Sequence, residues 1–119
     1  MNIFVISLPN SIERRFHFDK LNSKYINYTY FDGIEGKKLN KKYENIVKKD
    51  AINYIVGAVG CAMSHLGLWN KCIKLDKPII IMEDDVFVSK DFNKHVNNIM
   101  NMVSKDWDII ILSYNCDTI

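Results

Sequence analysis

Apolar residues occur in short continuous runs and in spaced repeats, and the two patterns predict strands and helices in alternation. The run over residues 2–8 predicts a first strand covered on both faces, which Pro9 ends. Asn10, with Glu13 three residues later, predicts the start of a helix that runs to about Asn22. The apolar face expected to reach the core consists of Ile12, Phe16 and Leu21.

The middle of the chain contains a second strand, a weakly patterned stretch and a more regular helix. The aromatic and β-branched run 25–31 predicts the strand, and Asp32 followed by glycine predicts a turn. Residues 34–54 are polar and rich in lysine, which is typical of a loop with at most a short helix. Apolar residues spaced by four, three and four then predict an amphipathic helix that ends near Leu75 and buries Trp69. These residues are Ala62, Leu66, Trp69 and Ile73.

The last third of the chain predicts two further strands. Ile79–Met82 favours a short central strand, and Ser89 is the predicted N-cap of the next helix. Residues 107–112 predict a fourth strand. The fold class is therefore α/β, one domain over residues 1–119 with a mostly parallel sheet and flanking helices. No helix follows the fourth strand, so we expect either a homodimer that covers it or a fold that is incomplete at the C-terminal end.

Composition and charge argue against membrane-spanning and nucleic-acid-binding proteins. The chain has 119 residues, is 48% hydrophobic and 25% charged, and contains no apolar stretch as long as a membrane span. Its N-terminus lacks the features of a signal peptide, which predicts a cytoplasmic protein. A net charge of +2, without a groove-reading motif, gives no reason to expect nucleic acid as a partner.

Six lysines within thirteen positions form the strongest local concentration of charge. A solvated loop is the favoured interpretation of this segment. The alternative is a patch that attracts a phosphate-bearing substrate or makes peripheral contact with the anionic inner face of the membrane. The lysines are Lys37, Lys38, Lys41, Lys42, Lys48 and Lys49.

Cysteine usage indicates a reducing compartment. Cys61, Cys72 and Cys116 are an odd number without close pairing, so we do not expect a disulfide framework. Cys61 and His65 stand four residues apart on a predicted helix, which is a suitable spacing for two metal ligands. Zinc usually requires more ligands than this pair offers, and packing within a helix is the favoured interpretation.

The most informative feature is a run of three acids, Glu83, Asp84 and Asp85, directly after a buried strand. Ligands bind open α/β sheets at the carboxyl ends of the strands. Two like charges about 4 Å apart repel by roughly 4 kcal/mol at an intermediate effective dielectric, so a counter-charge is needed. Mg²⁺ or Mn²⁺ prefers carboxylate oxygens and substrate phosphates. If the segment is extended, Glu83 and Asp85 point to one side, where Asp85 and one neighbour would share the cation.

Four motifs in order resemble those of glycosyltransferase family 25, the lipooligosaccharide-type enzymes that include bacterial β-1,4-galactosyltransferases. Their order and spacing agree over nearly the entire chain. The glycine-cysteine-serine-histidine helix followed by the acidic triplet is the most specific part. The motifs are Val5-Ile6-Ser7-Leu8 with Glu13-Arg14-Arg15, Phe31-Asp32-Gly33, Val59 to His65 with Trp69 downstream, and Ile79 to Val86.

The resemblance implies a GT-A-type fold and inverting transfer of a hexose, often galactose, from a UDP-sugar to a saccharide or glycolipid acceptor. Glu83, Asp84 and Asp85 fall on the family's metal and donor motif, which makes Mn²⁺ or Mg²⁺ the expected cofactor. The resemblance also implies that five further residues lie near the nucleotide or the donor sugar. They are Ser7, Arg14, Arg15, Ser64 and His65.

Physical arguments leave several of these roles open. An arginine after the first strand can pair with a phosphate, but Arg14 or Arg15 can equally be an exposed helix residue. His65 is as well suited to holding its helix against the acidic segment as to contacting substrate. Asp32 could hold a base or ribose, although an aspartate before glycine more often forms a turn.

The length of the chain suggests only the N-terminal, donor-binding half of such an enzyme, because family members extend well beyond the strand that corresponds to residues 107–112. Inverting transfer needs a carboxylate base, and neither Asp108 nor Asp117 is a convincing one, so the catalytic base stays unassigned. One alternative is a catalytically silent remnant or interaction module of the same fold. A phosphoacceptor signalling domain is disfavoured because the first strand ends without a carboxylate.

Overall fold

A computed structural model describes residues 1–39 and 56–113 and contains a three-stranded parallel sheet. The strands are β1 (Asn2–Ser7), β2 (Thr29–Asp32) and β3 (Ile79–Glu83), in the order β2-β1-β3. In the described sheet β1 is therefore the central strand, and the predicted central position of Ile79–Met82 was wrong. In the register of the sheet, Val5 lies opposite Tyr30 on one side and Met82 on the other. The predicted α/β class with a parallel sheet is therefore confirmed.

Three α-helices and one short 3₁₀ helix accompany the sheet in the described residues. They are α1 (Ile12–Asn22), the 3₁₀ helix (Gly36–Lys38), α2 (Val56–Leu75) and α3 (Phe92–Met102). None of these helices combines the length and the apolar character needed to cross a bilayer. Most of the predicted loop 34–54, including four lysines of the basic cluster, lies outside the described residues, as do Cys116 and Asp117.

The two faces of the sheet are covered by different helices, which explains why β1 is apolar along its length. On one face Val5 packs in a cluster with Phe18 of α1 and Val96 of α3. On the other face Phe4 packs with Leu68 of α2. Because alternate residues of a strand point to opposite faces, a central strand with helices on both sides must be apolar at every position.

The predicted core face of α1 was wrong. Ile12 and Phe16 are 74% and 68% exposed, whereas Phe18 is 1% exposed. The face that α1 turns inward instead carries Arg15, Phe18 and Asn22, at helical spacing. Polar contacts with the strand ends and the acidic segment determine which face of α1 packs against the sheet. The pattern of apolar residues in the sequence does not contain these contacts.

The assignment of Trp69 to the core was also wrong, because its side chain is 48% exposed. Ile73, on the same predicted stripe, is 75% exposed. Helix α2 approaches the sheet and the loop after β2 through a stripe of mainly small residues. Its buried residues are Gly60, Met63, Ser64 and Leu68.

Boundaries differ from prediction at several elements. Strand β2 begins at Thr29 rather than residue 25, because Tyr25 closes a turn onto the carbonyl of Asn22. Helix α1 begins after Ser11 and α3 after Asp91, one and two residues later than the predicted caps.

The predicted fourth strand does not form in the described part of the chain. Residues 107–112 run without strand structure, and Ile109 and Ile111 are 67% and 83% exposed. A β-branched run permits a strand, but a strand exists only where a neighbour pairs with its backbone. We expected a homodimer because it would cover the exposed fourth strand, and without that strand this reason for a homodimer no longer holds.

Candidate functional site

The last residue of each of the three strands has a polar side chain, and these residues lie together at the carboxyl end of the sheet. Ser7, Asp32 and Glu83 end β1, β2 and β3, and parallel pairing brings these ends together. Asp84 and Asp85 follow β3 immediately. This strand-end site, which we define as Ser7, Asp32 and residues 83–85, is the place where open α/β sheets bind ligands.

The acidic triplet is not extended as predicted. Strand β3 ends at Glu83, and the backbone N–H of Val86 donates to the Glu83 carbonyl at 3.3 Å, which closes a turn around Asp84 and Asp85. The three carboxylates therefore meet different neighbours. Their side-chain exposures are 47% for Glu83, 8% for Asp84 and 67% for Asp85.

Arg14 of α1 neutralises the buried member of the triplet. Its Nε donates to Asp84 Oδ1 at 2.8 Å, its Nη2 donates to the same oxygen, and Nη2 lies 3.7 Å from Asp85 Oδ2. Burial would raise the pKa of Asp84, but hydrogen bonds from Arg14 and Ser7 outweigh it and hold that pKa below its usual value. The Arg14 side chain is still 56% exposed, so part of the guanidinium faces solvent.

Arg15 joins the ends of two strands. Its Nη2 donates to the Ser7 carbonyl at 2.9 Å and to Asp32 Oδ1 at 2.7 Å, while its guanidinium lies 4.6 Å from the centre of the Tyr30 ring. The side chain is 23% exposed. These contacts favour a role in positioning Asp32 and Ser7, and they leave Arg14 as the arginine with more access to a ligand.

On the other side of the triplet, α2 presents a thiol and an imidazole to Glu83. Cys61 Sγ donates to Glu83 Oε1 at 3.4 Å, and His65 Nε2 lies 3.3 Å from the same oxygen. Burial, followed by the neighbouring Glu83 carboxylate, raises the pKa of Cys61 to about 11. The contact of His65 agrees with the interpretation that this residue holds its helix against the acidic segment.

Ser64 does not reach the site as a free hydroxyl. Its Oγ accepts a hydrogen bond from the Ile34 N–H at 2.8 Å and donates one to the Gly60 carbonyl at 2.7 Å, and the residue is 1% exposed. A Cβ at Gly60 would lie 2.3 Å from the Ile34 carbonyl oxygen. Ser64 and Gly60 therefore hold the loop after β2 tightly against α2.

That loop, the strand ends and the beginning of α2 enclose the strand-end cavity, which has a volume of about 460 Å³. Its lining includes Ser7, Arg14, Cys61, Glu83 and Asp84. A second cavity of about 510 Å³ lies between α1 and the segment after β3. Arg14 and Asp84 line both cavities, and Asp85 lines the second. Both volumes fall in the range of small-molecule sites, roughly 300–1,000 Å³.

Sequence reasoning missed Asn22, which fixes the segment that follows the acids. Asn22 is 0% exposed, donates Nδ2 to the Val86 carbonyl at 2.9 Å and accepts the Val88 N–H at 2.9 Å through Oδ1. Its partners lie 64 and 66 positions away in the sequence. A single asparagine at the end of a helix gives no signal of such a contact.

Comparison with known proteins agrees with the resemblance in the motifs. The family model described as "Glycosyltransferase family 25 (LPS biosynthesis protein)" matches residues 1–117. The chain belongs to glycosyltransferase family 25. This family assignment favours a sugar transferase over the phosphoacceptor alternative, as the missing carboxylate after β1 also does.

Several curated members of family 25 are similar to the chain. "Lipooligosaccharide biosynthesis protein lic2B" of Haemophilus influenzae is 34% identical over 98 residues, which cover 76% of this chain and 36% of that protein. A "Glycosyltransferase 25 family member" of Anopheles gambiae is 24% identical over 128 residues, which cover 92% and 21%. "Probable inactive glycosyltransferase 25 family member 3" of Rattus norvegicus is 27% identical over 125 residues, which cover 92% and 22%. The chain thus spans between about a fifth and about a third of these relatives.

Proposed function

We propose that this chain is the nucleotide-sugar-binding part of a divalent-metal-dependent glycosyltransferase. The observation that carries the proposal is the cavity at the carboxyl ends of the strands, where Ser7 of β1 and Glu83 of β3 meet Asp84 and Arg14. A nucleoside diphosphate sugar offers a base, a ribose, two phosphates and a sugar. Binding it requires cations for the phosphates and hydrogen-bonding groups for the hydroxyls, and this site provides the means for both.

The donor atoms of the triplet suit Mn²⁺ or Mg²⁺, since hard divalent cations prefer carboxylate oxygens. We propose Asp85 and Glu83 as the metal ligands; because they line different cavities, both carboxylates would have to turn toward a shared ion. Asp85 is the most exposed of the three acids, and Asp84 is already engaged by Arg14 and Ser7. Bound there, the ion would supply positive charge to the diphosphate of the nucleotide, which leaves as nucleoside diphosphate when its bond to the sugar breaks.

The residues of the chain supply binding and orientation. Arg14, held in place by Asp84, can turn the exposed part of its guanidinium toward a phosphate. Asp32 is 70% exposed at the end of β2 and is oriented by Arg15, which suits a hydrogen bond to ribose or base. Ser64 supports the cavity wall, and His65 fixes the orientation of Glu83.

The finer points of the proposal concern substrate and stereochemistry. We propose a UDP-hexose, with UDP-galactose as the first candidate, and inverting transfer to a lipooligosaccharide or another saccharide acceptor. The name of the similar Haemophilus protein supports a lipooligosaccharide acceptor. Asp108 is exposed and lines neither cavity, so it gains no support as the catalytic base.

Donor binding without turnover is the second candidate function. The rat relative is named as probably inactive and the mouse "Inactive glycosyltransferase 25 family member 3" as inactive, and these names support this second candidate. Incubation with UDP-galactose separates the two candidates. An active transferase releases UDP by transfer or slow hydrolysis, and a silent module binds the donor without releasing UDP.

Calorimetric titration with UDP, with and without Mn²⁺, tests the proposal. We expect binding that requires the metal, and we expect Asp85→Asn to weaken it at least about 10-fold because one charged ligand is lost. Asp106→Asn is the matched control, since Asp106 is exposed and lines neither cavity. Circular dichroism should show both variants folded. Equal UDP affinity of Asp85→Asn and the parent would refute the metal assignment.

A further inference from the structure

Cys61, His65 and Glu83 form a cluster in which two side chains of α2 meet Glu83, an acid that also belongs to the proposed donor site. Cys61 and His65 lie one helical turn apart on α2, and Glu83 ends β3 opposite them. The Sγ, Nε2 and carboxylate oxygen atoms all lie within 4.8 Å of one another. The spacing of Cys61 and His65 suggested two metal ligands from sequence, and the fold adds a third from a distant part of the chain.

Two of the three ligand separations in this cluster are close to those of a tetrahedral zinc site, and the third is at most 4.8 Å. Zinc bonds of about 2.3 Å to sulfur and about 2.1 Å to nitrogen and oxygen place tetrahedral ligands roughly 3.4–3.6 Å apart. Glu83 Oε1 lies 3.3 Å from His65 Nε2 and 3.4 Å from Cys61 Sγ. A metal ion could therefore be accommodated with small side-chain rotations and without movement of the helix or the strand.

The donor set selects a different ion from the one proposed for the donor site. One sulfur, one imidazole nitrogen and one carboxylate oxygen favour Zn²⁺ or Co²⁺, whereas Mg²⁺ and Mn²⁺ prefer oxygen ligands. The cluster supplies three protein ligands. Cys61 and Glu83 line the strand-end cavity, so a fourth ligand would be a water molecule or an anionic oxygen in that cavity.

Rigid neighbours support the geometry. Between the two α2 ligands, buried Ser64 is hydrogen-bonded to Ile34 and Gly60, which holds this turn of the helix against the loop after β2. Glu83 is fixed by the pairing of β3 with β1. All three ligand side chains are partly exposed, so an ion can enter from solvent.

We propose that Cys61, His65 and Glu83 bind Zn²⁺ or a similar transition-metal ion, with a fourth position open to the strand-end cavity. Binding replaces the proton on the Cys61 sulfur with the metal and releases that proton to solvent. Without metal the same three groups are held by hydrogen bonds, in which the thiol is the donor. The inference does not depend on nucleotide binding.

Titration of the reduced, metal-free full chain with Co²⁺, without nucleotide, tests this site. A cysteine ligand gives Co²⁺ a sulfur-to-metal charge-transfer band in the near ultraviolet, and tetrahedral coordination gives intense visible bands. We expect both in the parent protein, with Zn²⁺ displacing the Co²⁺ and abolishing the bands. No charge-transfer band at saturating Co²⁺ would overturn the proposal.

Two serine variants on the same helix make the test specific. Cys61→Ser should remove the charge-transfer band and weaken Co²⁺ binding by roughly 100-fold or more. The loss of a group that only orients a metal ligand typically reduces metal affinity by about 10–100-fold, and the loss of the ligand itself should cost more. Cys72→Ser should leave the spectrum unchanged, because Cys72 donates to the Lys77 carbonyl at 3.3 Å, away from the cluster. A band that survives Cys61→Ser would assign the thiolate to another cysteine and also overturn the proposal.

The Asp85→Asn variant separates this inference from the proposed function. It removes a ligand of the proposed Mn²⁺ site but no ligand of the cluster, so the Co²⁺ spectrum should persist. Loss of UDP binding together with an unchanged Co²⁺ spectrum is the expected pair of results. If Asp85→Asn abolished the cobalt bands, the ion would be held by the acidic triplet, and the cluster assignment would be wrong.

Discussion

The two sides of the strand-end site place adjacent carboxylates in environments that differ in burial and in charge. On the α1 side, Asp84 is 8% exposed and accepts hydrogen bonds from a guanidinium, which lowers its pKa. On the α2 side, Glu83 is 47% exposed and faces a thiol and an imidazole, and its charge helps to raise the pKa of Cys61. One residue along the chain therefore separates a fixed ion pair from a cluster with metal-ligand character.

The difference shows that the chemistry of each acid is decided by the helix that packs against it. Helix α1 contributes arginine and asparagine side chains that hold the turn after β3 in place. Helix α2 contributes small residues that let its backbone approach closely, together with the two groups that face Glu83. The comparison predicts that damage to either helix should affect its own side of the site first.

The largest expected effect is on the α2 side, from Gly60→Ala. A Cβ there would lie 2.3 Å from the Ile34 carbonyl oxygen and 2.8 Å from the Gly36 nitrogen, and backbone atoms cannot yield as a flexible side chain can. We expect a loss of about 3 kcal/mol in the free energy of unfolding, measured by urea denaturation. Gly57→Ala is the matched control, because its Cβ would meet no atom of the described residues within 4 Å.

The control should be neutral or gain up to about 1 kcal/mol, since alanine favours a helix over glycine. If Gly60→Ala and Gly57→Ala were equally stable, the close approach of α2 to the loop after β2 would be wrong. The account of the α2 side would then lose its structural basis.

A smaller effect is expected on the α1 side from Asn22→Ala. This change leaves the buried Val88 N–H and the Val86 carbonyl without their partner, which should cost about 2 kcal/mol in the free energy of unfolding. UDP affinity in Mn²⁺ should fall as well, because the segment after the acids loses its anchor. The Co²⁺ spectrum of the Cys61 cluster should change less than UDP binding does.

Asn93→Ala provides the comparison for that variant. Asn93 also donates to a backbone carbonyl, that of Tyr25 at 3.2 Å, but the bond is exposed and water can replace it. We expect a change below about 0.5 kcal/mol. Equal costs for the two asparagine variants would contradict the clamp assigned to Asn22.

The sequence was sufficient to predict the elements whose pattern of apolar residues reflects their burial in or against the sheet. The apolar runs of β1 and β3 have one interpretation in an α/β fold, and the sequence pattern predicts the acids at the carboxyl end of β3, where open α/β sheets bind ligands. The motif helix was predicted as well, and in the described residues it covers Val56–Leu75.

Contacts between distant segments could not be predicted from the pattern. The choice of Phe18 over Phe16 depends on polar groups that rotate α1 toward the acidic turn, and Asn22 has partners more than sixty positions away. Trp69 has the hydrophobicity of a core residue, but the close approach of α2 through glycine and serine leaves it at the surface. The fourth strand failed because pairing, which the pattern does not contain, decides whether a strand forms.

The most direct test of the central claim is to locate the metal and nucleotide by NMR. Unpaired electrons of Mn²⁺ broaden amide signals of nearby residues, so small additions of Mn²⁺ with UDP map the ion on the assigned spectrum. The account predicts that broadening begins at the three strand ends, at Ser7, Asp32 and residues 83–85. Broadening that begins elsewhere, for example around Asp106 and Asp108, or the absence of any UDP-dependent broadening, would contradict it.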